Sequence, residues 1–262
     1  MLLKIKRKIQ ISTILFLWAT LSLVAQKKQE YFQIKTYTFK TAEQLNTTEK
    51  YLENAYLPAL KAEKIKKVGV FKEHVKNEGA IPKLVIVIPF TSLFQFEGLE
   101  NAIANNKKHL KRGEAYLNAA HDNAPYERIS SVLLKGFKDM PFLSPSKTEG
   151  ERSKRVYALR SYESATEAIY ANKLEMFNKG GEIKLFKKLD FNAVFYGEVL
   201  IGPKMPNLMY MVSFDNAESE KAHWAAFIQS DKWKKLSKDP KYQNNLSHID
   251  NLSLYPTEYS HY

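Results

Sequence analysis

The sequence predicts an α+β protein in which two tandem ferredoxin-like modules close into one intramolecular barrel, with the sheets face to face and the helices outside. Three observations carry that prediction. Landmarks recur at a spacing of about 125 residues, each copy reads strand, helix, strand, strand, helix, strand, and the central strands are apolar on both faces.

The chain has 262 residues, of which 44% are hydrophobic and 13% aromatic, with ten Gly and ten Pro. That is enough apolar surface for one large or two medium cores, and it excludes disorder and collagen-like structure. With no cysteine, disulfides, thiolate metal sites and cysteine nucleophiles are all excluded. The net charge of +12 comes from 40 Lys+Arg against 28 Asp+Glu. Only six of the cations are arginines, and base-edge or bidentate phosphate reading favours the arginine fork, so sequence-specific nucleic-acid binding is not expected.

Residues 1–25 read as an export signal. Lys4, Lys6, Arg7 and Lys8 precede the apolar run ISTILFLWATLSLVA, and Ala25 offers a small residue at the break before Gln26. Leu23 departs from the A-x-A pattern, which leaves an uncleaved signal anchor open. No later stretch approaches the ~20 apolar residues of a membrane span. Without the four leading cations the charge falls to +8. The expected location is periplasmic or extracellular.

The repeat organises the remainder. Phe32 to Tyr37 matches Tyr157 to Tyr162, Val70 to Glu73 matches Phe195 to Glu198, and Pro82 to Phe90 matches Pro206 to Phe214. In the second copy Arg155 to Tyr162 alternates as a strand. Glu163 to Lys179 is helical and ends at Gly180-Gly181, a C-cap pattern, and a short helix follows over Glu182 to Leu189. Strand Ala193 to Ile201 turns through Gly202-Pro203-Lys204-Met205-Pro206 into strand Leu208 to Phe214. A helix from about Asn216 carries Trp224, Phe227 and Ile228 as its expected buried stripe, and strand Ile249 to Tyr255 closes the module. The expected divisions are a signal peptide at 1–25, an N-terminal module at 26–145 and a C-terminal module at 146–262, joined by the turn-rich Met140 to Gly150.

An isolated ferredoxin-like sheet has one wet face. Here Leu208, Tyr210, Val212 and Phe214 share one face while Met209 and Met211 lie on the other, and Leu84 to Ile88 is apolar throughout. Strands apolar on both sides are covered on both sides, which is why the second sheet is placed against the first.

The motifs RVYALRSYES, ANKLEMFNKGGEIKLFKKLDFNAVFYGEVLIG, MPNLMYMVSF and AHWAAFIQSDKWKKL together resemble the NIPSNAP family, from about Arg155 to Tyr259. The first copy, which lacks the Trp pair and the GGE turn, resembles it only weakly. The resemblance implies a dimeric α/β-barrel fold. The wider group of such barrels includes monooxygenases, haem-degrading enzymes and lactone isomerases, so fold alone does not assign an activity.

For the site, alternation separates Tyr157, Leu159 and Ser161 from Arg160 and Tyr162, and sets Tyr196 with Glu198. If the more apolar face meets the helices, Arg160, Tyr162, Tyr196, Glu198 and Tyr210 point into the barrel, where a cation, a carboxylate and phenols suit a small anionic or aromatic molecule. The plainer alternative is an Arg160–Glu198 ion bridge with packed tyrosines. His223 flanks the Trp224 stripe as a candidate ligand or general base. His248 and Asp250 share a face of the last strand, two ligands short of a metal site, and neither a metal nor a cofactor is expected. The expected partners are a small organic ligand, a protein or a second copy of the chain. The rival function is a cofactor-independent monooxygenase or isomerase, and loose polyanion binding through lysine patches is a third.

Overall fold

A computed structural model describes residues 28–144 and 146–262; the proposed export signal lies outside them. The first half runs β1 (Tyr31–Thr38), α1 (Ala42–Tyr51) continuing through a π-helical turn Leu52–Tyr56 into α2 (Leu57–Ala62), β2 (Gly69–Glu73), β3 (Leu84–Phe90), α3 (Leu93–Ala104), α4 (Lys107–Arg112), α5 (Glu114–Leu117) and β4 (Arg128–Gly136). The second half runs β5 (Val156–Glu163), α6 (Glu167–Asn178), α7 (Glu182–Lys188), β6 (Asn192–Ile201), β7 (Asn207–Phe214), α8 (Ala217–Gln229), α9 (Asp231–Lys238) and β8 (His248–Pro256).

Local chemistry sets the helix starts. Thr41, Ser92, Thr166, Asn216 and Ser230 each stand in extended conformation and accept a hydrogen bond from the backbone N–H three residues on, which stabilises each start by about 1 kcal/mol. Gly181, between α6 and α7, has φ +88°, a left-handed turn that a side chain would strain.

All eight strands form one closed barrel in the order β1-β3-β2-β8-β5-β7-β6-β4, with every neighbouring pair antiparallel. The cyclic order β4-β1-β3-β2 of the first half recurs as β8-β5-β7-β6. The halves join where β2 pairs with β8 and β4 with β6, so no sheet edge stays open. Three apolar layers result. The barrel interior packs Phe32, Phe71, Val85, Val87, Tyr157, Phe195, Met211 and Leu254. Outside the first sheet Tyr37, Leu84, Ile86 and Ile88 meet Leu52, Leu60 and Leu99 of the helices. Outside the second, Tyr162, Tyr196, Leu208, Tyr210 and Val212 meet Phe177, Phe186 and Phe227.

The inward and outward faces are therefore the reverse of the expected assignment. Tyr157, Leu159 and Ser161 face the interior, whereas Arg160, Tyr162, Tyr196 and Tyr210 belong to the layer beneath the helices. Facing sheets stand ~10 Å apart, and here the space is filled by aliphatic, Phe and Met side chains together with Tyr157 and Tyr262. Under α6 to α8 the arginine lies over the Trp224 and Tyr162 rings, and the Tyr162 and Tyr210 hydroxyls bond each other. Ile228, expected in the buried stripe of α8, is 60% exposed, while Phe227 is buried and Trp224 packs against the same layer. Among the described residues no helix is long and apolar enough to cross a membrane.

Candidate functional site

Of the six residues singled out from sequence, four meet beneath the helices. The Arg160 guanidinium lies 4.6 Å from the Trp224 ring centroid and 5.6 Å from that of Tyr162. Tyr162 and Tyr210 share a 2.8 Å hydrogen bond between their hydroxyls, and the Tyr196 ring stacks on that of Tyr210. Beside them Lys173 of α6 donates to Glu182 of α7 at 3.1 Å, with both side chains 3% exposed. Burial pushes the Glu182 carboxyl up, with Lys173 and Arg160 pulling against it, and burial likewise raises the Tyr162, Tyr196 and Tyr210 phenols. Such a dry layer favours cation–ring contacts and one ion pair.

The other two residues stand apart. Glu198 stands opposite Lys135 in the β4–β6 register, and among the described residues Arg160 forms no salt bridge; burial raises the Glu198 carboxyl while Lys135 and Lys138 lower it. His223 donates from Nδ1 to the Ser219 carbonyl at 2.7 Å and lines a cleft of about 570 Å³ with Lys147, Lys187, Asp190 and Asp215. That cleft is at the barrel end where β6 starts and β7 finishes.

The opposite end holds a pocket between the sheets, about 430 Å³ in volume. Its apolar walls are Val132, Leu159, Val199, Met209 and Leu252, and its polar positions include Thr36, Ser130, Ser161 and Asn207. These side chains line it because they lie toward the mouth end of the inward-facing strand positions. Glu73 and Lys83, 3.7 Å apart, and the closer pair Lys204 and Asp250 stand at the rim. The Lys204 ammonium holds the Asp250 carboxyl below its ordinary range. Asn207 is 3% exposed and donates to Ser161 Oγ at 2.8 Å, yet its Oδ1 has no hydrogen-bond partner.

Sequence reasoning missed this set. The only local signals were polar Ser161 and Asn207 in otherwise apolar strands and a lysine in a Gly-Pro hairpin. Only strand pairing brings them together, through Tyr162 opposite Leu208 and Glu163 opposite Asn207.

A barrel closed from two ferredoxin-like halves is the architecture of the dimeric α/β-barrel proteins. Solved structures agree: a candidate monooxygenase from Fusobacterium nucleatum subsp. nucleatum (TM-score 0.56, 10% identity, 88% of this chain and 94% of that one), a candidate monooxygenase from Lactobacillus acidophilus (0.55, 12%, 87% and 94%) and an anthrone oxidase-like protein (0.55, 12%, 88% and 92%) share the fold. Within that class, residues 157–261 match the NIPSNAP family, so the second half of the chain is NIPSNAP-like. No curated protein matches.

Proposed function

We propose that the protein binds a small organic molecule with an apolar body and a hydrogen-bond-donating head in the pocket at the barrel mouth. The single observation that carries this reading is the Asn207 Oδ1, a buried acceptor without a partner in the wall of a 430 Å³ pocket. Small-molecule sites span roughly 300–1,000 Å³ and combine apolar walls with few polar groups. A buried unpaired amide costs about 1–3 kcal/mol, which a ligand hydroxyl or amine would recover.

The rim carries two lysines and two carboxylates, paired with each other. That balance favours a neutral or zwitterionic molecule, aromatic or lactone included, over a simple anion. Among the described residues lining the pocket there is no tyrosine or histidine, the groups that the monooxygenase or isomerase considered from sequence would use for proton handling. The likeness to candidate monooxygenases is one of fold, and binding is therefore the reading retained. The basic and apolar N-terminus supports a site of action outside the cytoplasm.

The test is a thermal-shift screen of neutral and zwitterionic aromatics and lactones on the wild-type protein and on Leu159→Trp, which fills the pocket. A ligand at a hundred times its Kd stabilises by about 2.7 kcal/mol, a shift of roughly 5–10 °C for a chain of this size. The shift should vanish in Leu159→Trp. A screen in which nothing shifts the wild type, or a shift that survives the filled pocket, overturns the proposal.

A further inference from the structure

The mouth carries another feature, which shares the Asn207 amide with the reading above but rests on a separate cluster of side chains and is tested without the organic molecule. Strands β5 and β8 set Glu163 opposite His248, and one ligand atom from each of Glu163, His248 and Asp250 lies within 4.8 Å of the others. His248 Nε2 stands 3.1 Å from Asp250 Oδ1. Lys204 reaches down from the β6–β7 turn and bridges Asp250 and, at 3.6 Å, Glu163.

An ammonium among carboxylates is a common surface arrangement and points to nothing more. Asn207 supplies an independent observation. It stands opposite Glu163 in the β5–β7 register, lines the same pocket as Lys204 and Asp250, and is 3% exposed with Oδ1 unpartnered. Lys204 thus meets the two carboxylates of this group and leaves the buried Asn207 Oδ1 without a donor.

We infer that Glu163, His248 and Asp250, with the Asn207 Oδ1, form a binding site for a divalent metal ion of the zinc or manganese class, and that Lys204 is its displaceable internal stand-in. One imidazole nitrogen with several oxygens matches such borderline ions better than calcium or magnesium, which take oxygen-only cages. Two carboxylates balance the charge of the ion. Tetrahedral zinc places its ligand atoms about 3.3 Å apart, so the group, whose ligand atoms lie within 4.8 Å of one another, would have to contract around the ion. Sequence reasoning expected no metal because His248 and Asp250 are only two ligands; the third comes from the neighbouring strand.

Zn²⁺ alone, and separately Mn²⁺, is titrated calorimetrically into the full chain, the variants Lys204→Met and Lys204→Gln, and each of these combined with His248→Ala or Glu163→Gln. Circular dichroism checks folding. The Lys204 variants should bind one ion per chain about tenfold or more tightly than wild type, since they remove a unit positive charge at contact distance. The added His248→Ala or Glu163→Gln should abolish that gain. Equal affinity in wild type and the folded Lys204 variants, or a gain that survives loss of His248 or Glu163, overturns the assignment.

Discussion

Replacing Asn207 with Leu should leave the empty protein at least as stable as the wild type while removing its capacity to be stabilised by ligand. Asn207 is 3% exposed, makes one 2.8 Å hydrogen bond to Ser161 Oγ and leaves Oδ1 unpaired. Losing the hydrogen bond costs about 0.5–1.5 kcal/mol, and removing the unpaired acceptor returns about 1–3 kcal/mol. Leucine is close in volume and adds apolar contact with Leu159 and Met209 in the same wall. The net expectation is a gain of roughly 0–2 kcal/mol, or a rise in Tm of up to about 8 °C. The assay is thermal denaturation of both proteins, each with and without a ligand found in the screen. A loss above about 2 kcal/mol would show that Oδ1 is internally satisfied in the wild type, because only then does its removal carry the cost of a broken partner. A ligand that stabilises the Leu variant as well as the wild type would refute the amide's role in recognition.

Lys173→Met leaves the Glu182 carboxylate buried without its partner and should cost about 3–5 kcal/mol in urea denaturation, whereas Lys173→Met with Glu182→Leu should return to near wild-type stability; a single variant within about 1 kcal/mol of wild type would mean that water reaches Glu182. At high pH the buried tyrosines should drive unfolding. Burial pushes Tyr37 up to about 12, and Tyr51, Tyr56 and Tyr196 are raised too, so the unfolded chain ionises first. The stability these phenols contribute is complete below pH 10 and is lost as pH rises toward and through the folded values, about 2.3 kcal/mol for Tyr37 alone by pH 12. Chemical denaturation at pH 9 to 12, followed with the tyrosinate absorbance, checks this; stability that stays flat over the range contradicts it.

Much of the fold is legible in the amino-acid sequence, for identifiable reasons. Period-2 alternation and the Gly180-Gly181 break are local signals, and β5 to β8 fall within about two residues of where they point, whereas α6 starts at Glu167 and not at the expected Glu163, because β5 runs on through Glu163 and Thr166 caps the helix. The apolar character of both strand faces required cover on both sides, and the closed barrel supplies it. The resemblance of RVYALRSYES and the motifs after it located the NIPSNAP-like half.

What the amino-acid order determined by itself was the succession of elements and the division of each strand into two sets of side chains. It could not say which set turns inward, because with both faces apolar the two assignments differ only in what lies across from them. Tertiary packing decided that question. Arg160, Tyr162 and Tyr210 go where Trp224 and Phe177 provide ring faces and Lys173 a cation over a ring, and Leu159, Ser161, Asn207 and Met209 are left to line the pocket between the sheets. The mouth site likewise needs strands β5, β7 and β8 side by side, a register set by long-range hydrogen bonding that no local spacing encodes.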